Sequence, residues 1–576
     1  PIYAKTGKRL WRFDPKLSNT KTFQHLTCRG VSYHDDAQAA TMTTANTATT
    51  TPSQVCPRKV ILPVNDGRLI AVNADTGKAC SDFGNNGEVN LQANMPNAYR
   101  GGYNPTSPPV VTASSIIIGG SVTDNHSNTE PSGVIRAYDV NSGALRWVFD
   151  TGAEDPNQMP GEQGKFVHNS PNAWAPLAYD EASDTVYVPT GVGTPDIWGG
   201  DRTELKERFA NSIVALNGST GKLQWHFQTT HHDLWDMDVP SQPSLIDITR
   251  PNGDKVAAIY VLTKTGNVFV LDRHTGKAIV PITEKPVPQT VKRGPQTKGE
   301  HYAATQPFSD LNLAPADKLQ DKDMWGGSMY DQLMCRVMFK KLNYDGIYTP
   351  PSENGTLVFP GNLGVFEWGG MSVNPDRRIA LMNPIGLPFV SKLIPADPNR
   401  QQTAKGAGTE QGVQLAERGF AGHACAGQHA GAPQAAAGLV DIQLHTAFMA
   451  LGDGDNHDAV FLRPLQAGKE SRVVTGTGAA AKTFQHQGFE AAVEQRIELR
   501  RANAWHQWQH THAGHVLGPG IEQLAGDVSG RGAAAVSGQG YKRVAPETAH
   551  FGAARRGHQL AVEVQLNPVR LALAQG

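Results

Sequence analysis

An all-β fold, built from sheet blades set around an axis, is predicted for this chain by three observations. A strand–turn–strand unit with a Thr-Gly or Ser-Gly turn recurs along the first half of the sequence. Glycine and proline are abundant, at 60 and 38 residues, as many tight turns between short strands require. No stretch carries the 3.6-residue apolar period that a stack of helices would need.

The repeat starts at Ile2-Tyr3-Ala4-Lys5-Thr6-Gly7-Lys8-Arg9-Leu10-Trp11 and returns at Ala71–Lys78, Ala137–Trp147, Ala215–Trp225 and Val270–Lys277. An Asp or Asn opens most of the turns, and glycine supplies the left-handed conformation. Three copies place a Trp four residues after the glycine: Trp11, Trp147 and Trp225. The turn glycines are 70, 66, 78 and 55 residues apart, enough for a four-stranded blade with loop insertions. Radial repetition is the natural arrangement of such units, because it protects the edges of each sheet. Between the turns, β-branched runs such as Lys59–Val64, Ser115–Ile118 and Thr185–Val188 read as inner strands. The Thr- and Ala-rich stretch Ala37–Ser53 reads as a loop insertion.

Charged residues make up 18% of the 576 residues and the net charge is −1, so no basic patch argues for a nucleic-acid partner. No apolar run reaches the roughly 18 residues of a membrane span. The five cysteines, Cys28, Cys56, Cys80, Cys335 and Cys425, form no CxxC pair, which argues against a zinc ribbon or a thioredoxin-type motif. One disulfide among the first three and a set of free buried thiols are both open.

The chemistry concentrates in Thr229-Thr230-His231-His232-Asp233-Leu234-Trp235-Asp236-Met237-Asp238, three carboxylates, two imidazoles and an indole within ten residues. A carboxylate partly desolvated by a tryptophan face can serve as a general base. A solvated polar loop is the competing reading of this segment taken alone.

Five further stretches accompany that loop: His25–His34, Thr123-Asp124-Asn125, Asn172-Ala173-Trp174-Ala175-Pro176, Lys264-Thr265-Gly266-Asn267 and Phe359–Trp368. Together with the Trp repeat they resemble the pyrroloquinoline quinone-dependent dehydrogenases, and within that family the bacterial membrane-bound glucose-oxidising branch. The resemblance runs from Pro1 to about Gln414. It implies an eight-bladed β-propeller with Trp-docking repeats, the quinone as cofactor and a Ca²⁺ or Mg²⁺ ion.

By this resemblance Asp236 is the base and Lys264 the cation that contacts the quinone oxygens. Asp233 and Asp238 are chemically equal acids not matched to the catalytic position. Trp174 corresponds to the floor beneath the cofactor ring, and His25 and Arg29 to the cofactor and sugar pocket, with Asn362 and Trp368 as further cofactor contacts. Asp124, Asn125 and Thr194 correspond to the metal position, where all-oxygen donors suit a hard cation. Read without the resemblance, Lys264 is a turn lysine and Trp174 a core indole.

The activity so implied is oxidation of the C1 hydroxyl of an aldose, D-glucose to gluconolactone, at the periplasmic face of the bacterial inner membrane. Electrons would pass to ubiquinone. A quinate or polyol dehydrogenase of the same family is the alternative, and a non-catalytic propeller that binds other proteins is a second. The family's membrane-spanning N-terminal helices have no counterpart in this sequence.

Beyond Gln414 the character changes. Eleven of the 20 histidines lie past residue 415, but only one tyrosine, Tyr541, and the Trp repeat stops. The Asp453–Asp458 run has Asp458 where a calcium loop needs glycine and Pro464 where it needs glutamate. His506 and His510 share the spacing of a helix face but sit in a histidine-rich segment. The break reads as a shifted reading frame. Residues 415–576 are therefore expected not to supply the last blades, leaving an open, unstable and nearly inactive ring.

Overall fold

A computed structural model of the chain describes residues 6–395 apart from 19–22, 25, 28, 43–51, 54, 125–126, 128, 250–252, 298, 316, 325, 327 and 375–378. Beyond these it describes residues 413–418, 443–444, 446–450 and 561–563. His25 and Asn125 of the expected site lie outside the described residues.

Antiparallel meanders follow one another along the chain. The first joins Ser32–Asp35, Arg58–Val64, Arg68–Asn73 and Glu88–Asn90. The second joins Val110–Val111, Ser115–Ile118, Ile135–Asp139 and Leu145–Phe149. Ala178–Asp180, Thr185–Pro189, Ser212–Asn217 and Leu223–Gln228 make the third. Ser244–Thr249, Lys255–Leu262 and Val268–Asp272 make a three-stranded fourth. Middle strands such as Ser115–Ile118 and Thr185–Pro189 are buried along their whole length, because neighbouring sheets cover both faces.

The repeat turns share one local chemistry. Asn73, Asp139, Asn217 and Asp272 each accept, through the side-chain oxygen, the N–H and hydroxyl of the Thr or Ser three residues on. The following glycines, at φ 73°, 71°, 70° and 69°, return their N–H to the carbonyl of the opening residue.

Each repeat tryptophan then docks on the turn of a later copy. The Trp11 indole lies on Gly77, Trp147 on Gly221 and Trp225 on Gly276, so close that an added Cβ would fall 2.6, 2.4 and 2.6 Å from the ring. Their Nε1–H groups donate to the carbonyls of Ala74, Gly218 and Arg273 at 2.8, 3.0 and 3.1 Å. The period of the sequence is thus a physical coupling between successive sheets, through a glycine face and one hydrogen bond.

Three features differ from the sequence reading. Part of the predicted loop insertion is helical, at Asp36–Met42, where an acidic first residue precedes an Ala-rich turn. A second helix, Met329–Lys341, is capped by the Ser328 hydroxyl accepting from the Asp331 N–H, while its apolar pattern is too weak to announce it. Past Gln414, short strands reach the last sheets. Val413–Arg418 pairs with Phe389–Pro395, and Thr446–Ala450 lies between Ile379–Met382 and Ala561–Glu563. Backbone groups pair at a sheet edge whatever the side-chain pattern, so these strands carry no period-2 signature. Gln443–Leu444 pairs with Ile385–Gly386, and the remainder of the tail lies outside the described residues.

Of the alternatives left open for the cysteines, the disulfide forms, between Cys56 and Cys80 with Cα atoms 5.7 Å apart. Cys335 is buried and takes no part in that disulfide, and Cys28 and Cys425 lie outside the described residues.

Candidate active site

The acid-rich loop follows strand Leu223–Gln228 and is built around Asp233, which is fully buried. Its carboxylate accepts the Trp235 N–H at 2.8 Å, the Met237 N–H at 2.6 Å and the Asn211 amide at 2.8 Å. Burial pushes Asp233 up to about 6, with these hydrogen bonds opposing. Trp235 pins the loop from the other side. Its indole donates to the Thr349 carbonyl at 2.7 Å and meets the Tyr348 ring edge-on. So held, the backbone turns left-handed at His232 (φ 40°) and at Asp236 (φ 61°). Non-glycine residues keep that conformation only where the surroundings enforce it, as at functional sites.

The turn after strand Lys255–Leu262 carries Lys264 to this loop. Its ammonium lies 2.9 Å from Asp236 Oδ1 and 3.9 Å from Asp238 Oδ2, with the lysine side chain 5% exposed. The stretch Gly361–Phe366 covers it. The Val365 N–H donates to the Lys264 carbonyl at 2.7 Å, and Gly364 presses on the lysine stem, where a Cβ would meet Cγ at 2.5 Å. Burial alone would lower the lysine pKa; Asp236 and Asp238 outweigh it and hold the ammonium charged. Burial raises Asp236 well above the ordinary carboxylate range, opposed by Lys264 and reinforced by Asp238 and Asp124. Asp196, in the loop of Thr194, is raised for the same reasons, burial first and then Asp124, Asp236 and Asp238.

Trp174 completes the group. Its Nε1–H donates to Asp238 Oδ2 at 2.6 Å, while Asp238 Oδ1 accepts the Val192 N–H at 2.9 Å. The Thr106 and Ser107 hydroxyls hold the Trp174 carbonyl. Over the indole face sit the Lys264 ammonium, 5.9 Å from the ring centre, and the Arg29 guanidinium at 5.1 Å. Arg29 also stacks on Trp368 at 5.3 Å and donates to the Thr106 carbonyl. The buried oxygen of Asn362 has no hydrogen-bond partner among the described residues. Thr194 is fixed by Asn169, whose amide donates to its carbonyl at 2.9 Å and its hydroxyl at 2.7 Å.

The structure therefore brings together Asp236, Lys264, Trp174, Arg29 and Trp368, with Asp124 in electrostatic contact with Asp236. Sequence reading assigned no role to Asp238, Asp196 or Glu367. Asp238 bridges Trp174 to the loop of Val192, and Asp196 shares the acid cluster. Glu367 is held above the usual carboxylate range by burial while Lys264 and Arg29 oppose it. Asp238 was within reach of sequence reasoning, as the third acid of the ten-residue loop. Asp196 carries no local signal, and Glu367 falls within the Phe359–Trp368 stretch, where nothing sets it apart.

A flat indole floor, two cations above it and an unpaired buried amide oxygen suit a planar polyanion. Asp124, Asp196, Asp236 and Asp238 influence one another electrostatically beside the Lys264 ammonium, and their all-oxygen chemistry is of the kind a hard divalent cation takes.

Comparison with known proteins agrees with that geometry. Residues 2–436 match the family model described as PQQ: Glucose/ethanol/alcohol dehydrogenase, beta-propeller domain. The chain is 77% identical over 413 residues to quinoprotein glucose dehydrogenase A of Acinetobacter calcoaceticus, covering 72% of this chain and 52% of the relative. It is 57% identical over 415 residues to quinoprotein glucose dehydrogenase of Escherichia coli, covering 71% and 50%. To the quinate/shikimate dehydrogenase (quinone) of Acinetobacter baylyi it is 40% identical over 405 residues, covering 69% and 49%. The chain spans about half the length of these relatives. It belongs to the pyrroloquinoline quinone-dependent glucose/ethanol/alcohol dehydrogenase β-propeller family.

Proposed function

We propose that this chain carries the catalytic side of a quinoprotein glucose dehydrogenase, which oxidises the C1 hydroxyl of D-glucose to gluconolactone. The observation that carries the reading is the buried Lys264–Asp236 pair at 2.9 Å, set beside the face of Trp174. The higher identity to glucose dehydrogenases than to the quinate enzyme favours the aldose.

Asp236 accepts the proton of the sugar hydroxyl, at a carboxylate whose raised pKa suits a general base. Lys264 keeps the carboxylate oriented and partly offsets the charge of Asp238. When bound, the ortho-quinone would supply the acceptor for the hydride leaving C1. Trp174, Arg29, Asn362 and Trp368 would hold that ring system, and His25 would complete the pocket. Asp124, Asn125 and Thr194 would hold Ca²⁺ or Mg²⁺. Residues 1–414 would form most of an eight-bladed propeller, with short strands from 415–576 at the edges of its last sheets. The enzyme would work at the periplasmic face of the inner membrane and pass electrons to ubiquinone. Among the described residues no helix is long and apolar enough to cross a membrane.

The test is reconstitution of the 576-residue chain with the quinone and Ca²⁺ or Mg²⁺. Quinone binding is followed by quenching of tryptophan fluorescence, and dye-linked rates are compared on glucose and quinate. Binding with a rate ratio favouring glucose is expected, whatever the absolute rate in this chain. A ratio favouring quinate would replace the sugar assignment, and failure to bind the quinone would remove the whole reading.

A further inference from the structure

We propose that His232, Glu300 and His301 form a second divalent-cation site, distinct from the carboxylates around Asp236, and that it takes a transition ion of the zinc type. One ligand atom from each of the three residues lies within 4.8 Å of the others. Glu300 lies 68 residues from His232 and His301 one further, so no linear motif announces them.

The surroundings resemble those of a working metal ligand. His232 Nδ1 is 3.1 Å from Glu207 Oε1, a contact that fixes the ring and leaves Nε2 directed at Glu300 Oε1, 2.9 Å away. A carboxylate behind a ligating imidazole is the usual outer support of zinc. Glu300 is itself fixed, its other oxygen accepting the Gly199 N–H at 2.7 Å. The His301 ring stacks on that of His232 with centres 3.7 Å apart. His301 is exposed, so its ring can swing to present a nitrogen while a fourth position stays open to water.

Two imidazoles and one carboxylate favour Zn²⁺, Co²⁺ or Ni²⁺ over Ca²⁺ or Mg²⁺. Binding replaces the proton shared between His232 Nε2 and Glu300 Oε1, and that proton leaves to solvent. The ion would join three segments: the Gly199–Glu207 stretch, the loop that ends in Asp236 and Asp238, and the Glu300–His301 pair. It would act as a clamp on the catalytic loop rather than as a reactant.

The experiment uses the whole chain, stripped with chelator and free of quinone, titrated with Co²⁺ alone. Intense visible bands of low-coordinate, nitrogen-ligated cobalt are expected at one ion per chain, displaced by Zn²⁺. His301→Ala should weaken the binding at least about tenfold, on the scale found when metal-site partners are removed. This residue is exposed, so the variant should keep the wild-type melt. Asp124→Asn should leave the bands unchanged. Absence of the bands, their survival in His301→Ala or their loss in Asp124→Asn would each overturn the site.

Discussion

Lys264 and Asp236 form a buried ion pair at 2.9 Å, and the lysine backbone is held from behind by Val365. Losing Lys264 leaves the carboxylates of Asp236 and Asp238 without their ammonium, whereas losing the Asp236 charge leaves Lys264 still 3.9 Å from Asp238. That coupling separates the expected effects of changes on its two sides.

Asp236→Asn keeps the shape of the side chain but cannot accept the substrate proton. Turnover should fall by about 10²–10⁴-fold, the usual cost of losing a general base, with quinone binding largely retained. Asp233→Asn should act differently. Its amide NH₂ would face either the Trp235 N–H or both the Met237 N–H and the Asn211 amide, so the loss should appear mainly in the melting temperature. Equal losses of turnover with unchanged melts at both positions would remove Asp236 from its role.

Lys264→Ala leaves Asp236 and Asp238 buried without their ammonium. Breaking a buried pair by removing one partner costs about 3–5 kcal/mol, so a clear drop in stability is expected. Activity should stay low even when the quinone saturates, because the charge that stabilises developing negative charge has gone. Near-wild-type kcat at saturation would move that role to another cation, with Arg29 the first to examine.

His232 sets a pH dependence of stability. Burial alone would lower its pKa, but hydrogen bonds to Glu207 and Glu300 raise it to about 9 from the ordinary 6.5. A raised folded-state value means the stabilisation is complete below pH 6.5 and is lost as pH rises through about 9. The contribution is on the order of 3 kcal/mol. In chelator, the wild-type Tm should decline across that window, and Glu300→Gln should flatten the decline. Parallel curves for the two proteins would sink the assignment.

Gly276→Ala and Gly7→Ala form a matched pair. Both glycines are left-handed, at φ 69° and 68°, so alanine carries the same backbone strain at each, roughly 1–2 kcal/mol. At Gly276 the new methyl would also lie 2.6 Å from the Trp225 ring, whereas Gly7 has nothing within 4 Å among the described residues. The Gly276 variant should therefore lose clearly more stability in denaturant titrations. Similar losses would mean that indole docking contributes little to the coupling between sheets.

The sequence by itself determined the repeat, and with it the fold class. Asp or Asn, Thr or Ser and Gly specify the turn through contacts within a few residues, and the Trp four positions on marks the docking face. It also determined which acid, lysine and indole were candidates, because Asp236, Lys264 and Trp174 sit in motifs legible over short stretches. The tertiary structure alone decided how the three acids of one loop divide their work. Asp233 turns inward to hold the loop, Asp238 bonds Trp174 and Val192, and Asp236 meets Lys264. Asp236 and Asp238 take partners 28 to 64 residues away, and Asp233 adds Asn211, 22 residues back, to the loop N–H groups two and four residues on, a division chosen by packing and burial. Asp196, Glu367 and the His232–Glu300–His301 group were illegible for the same reason. Their chemistry depends on low-dielectric proximity, which sequence distance does not encode.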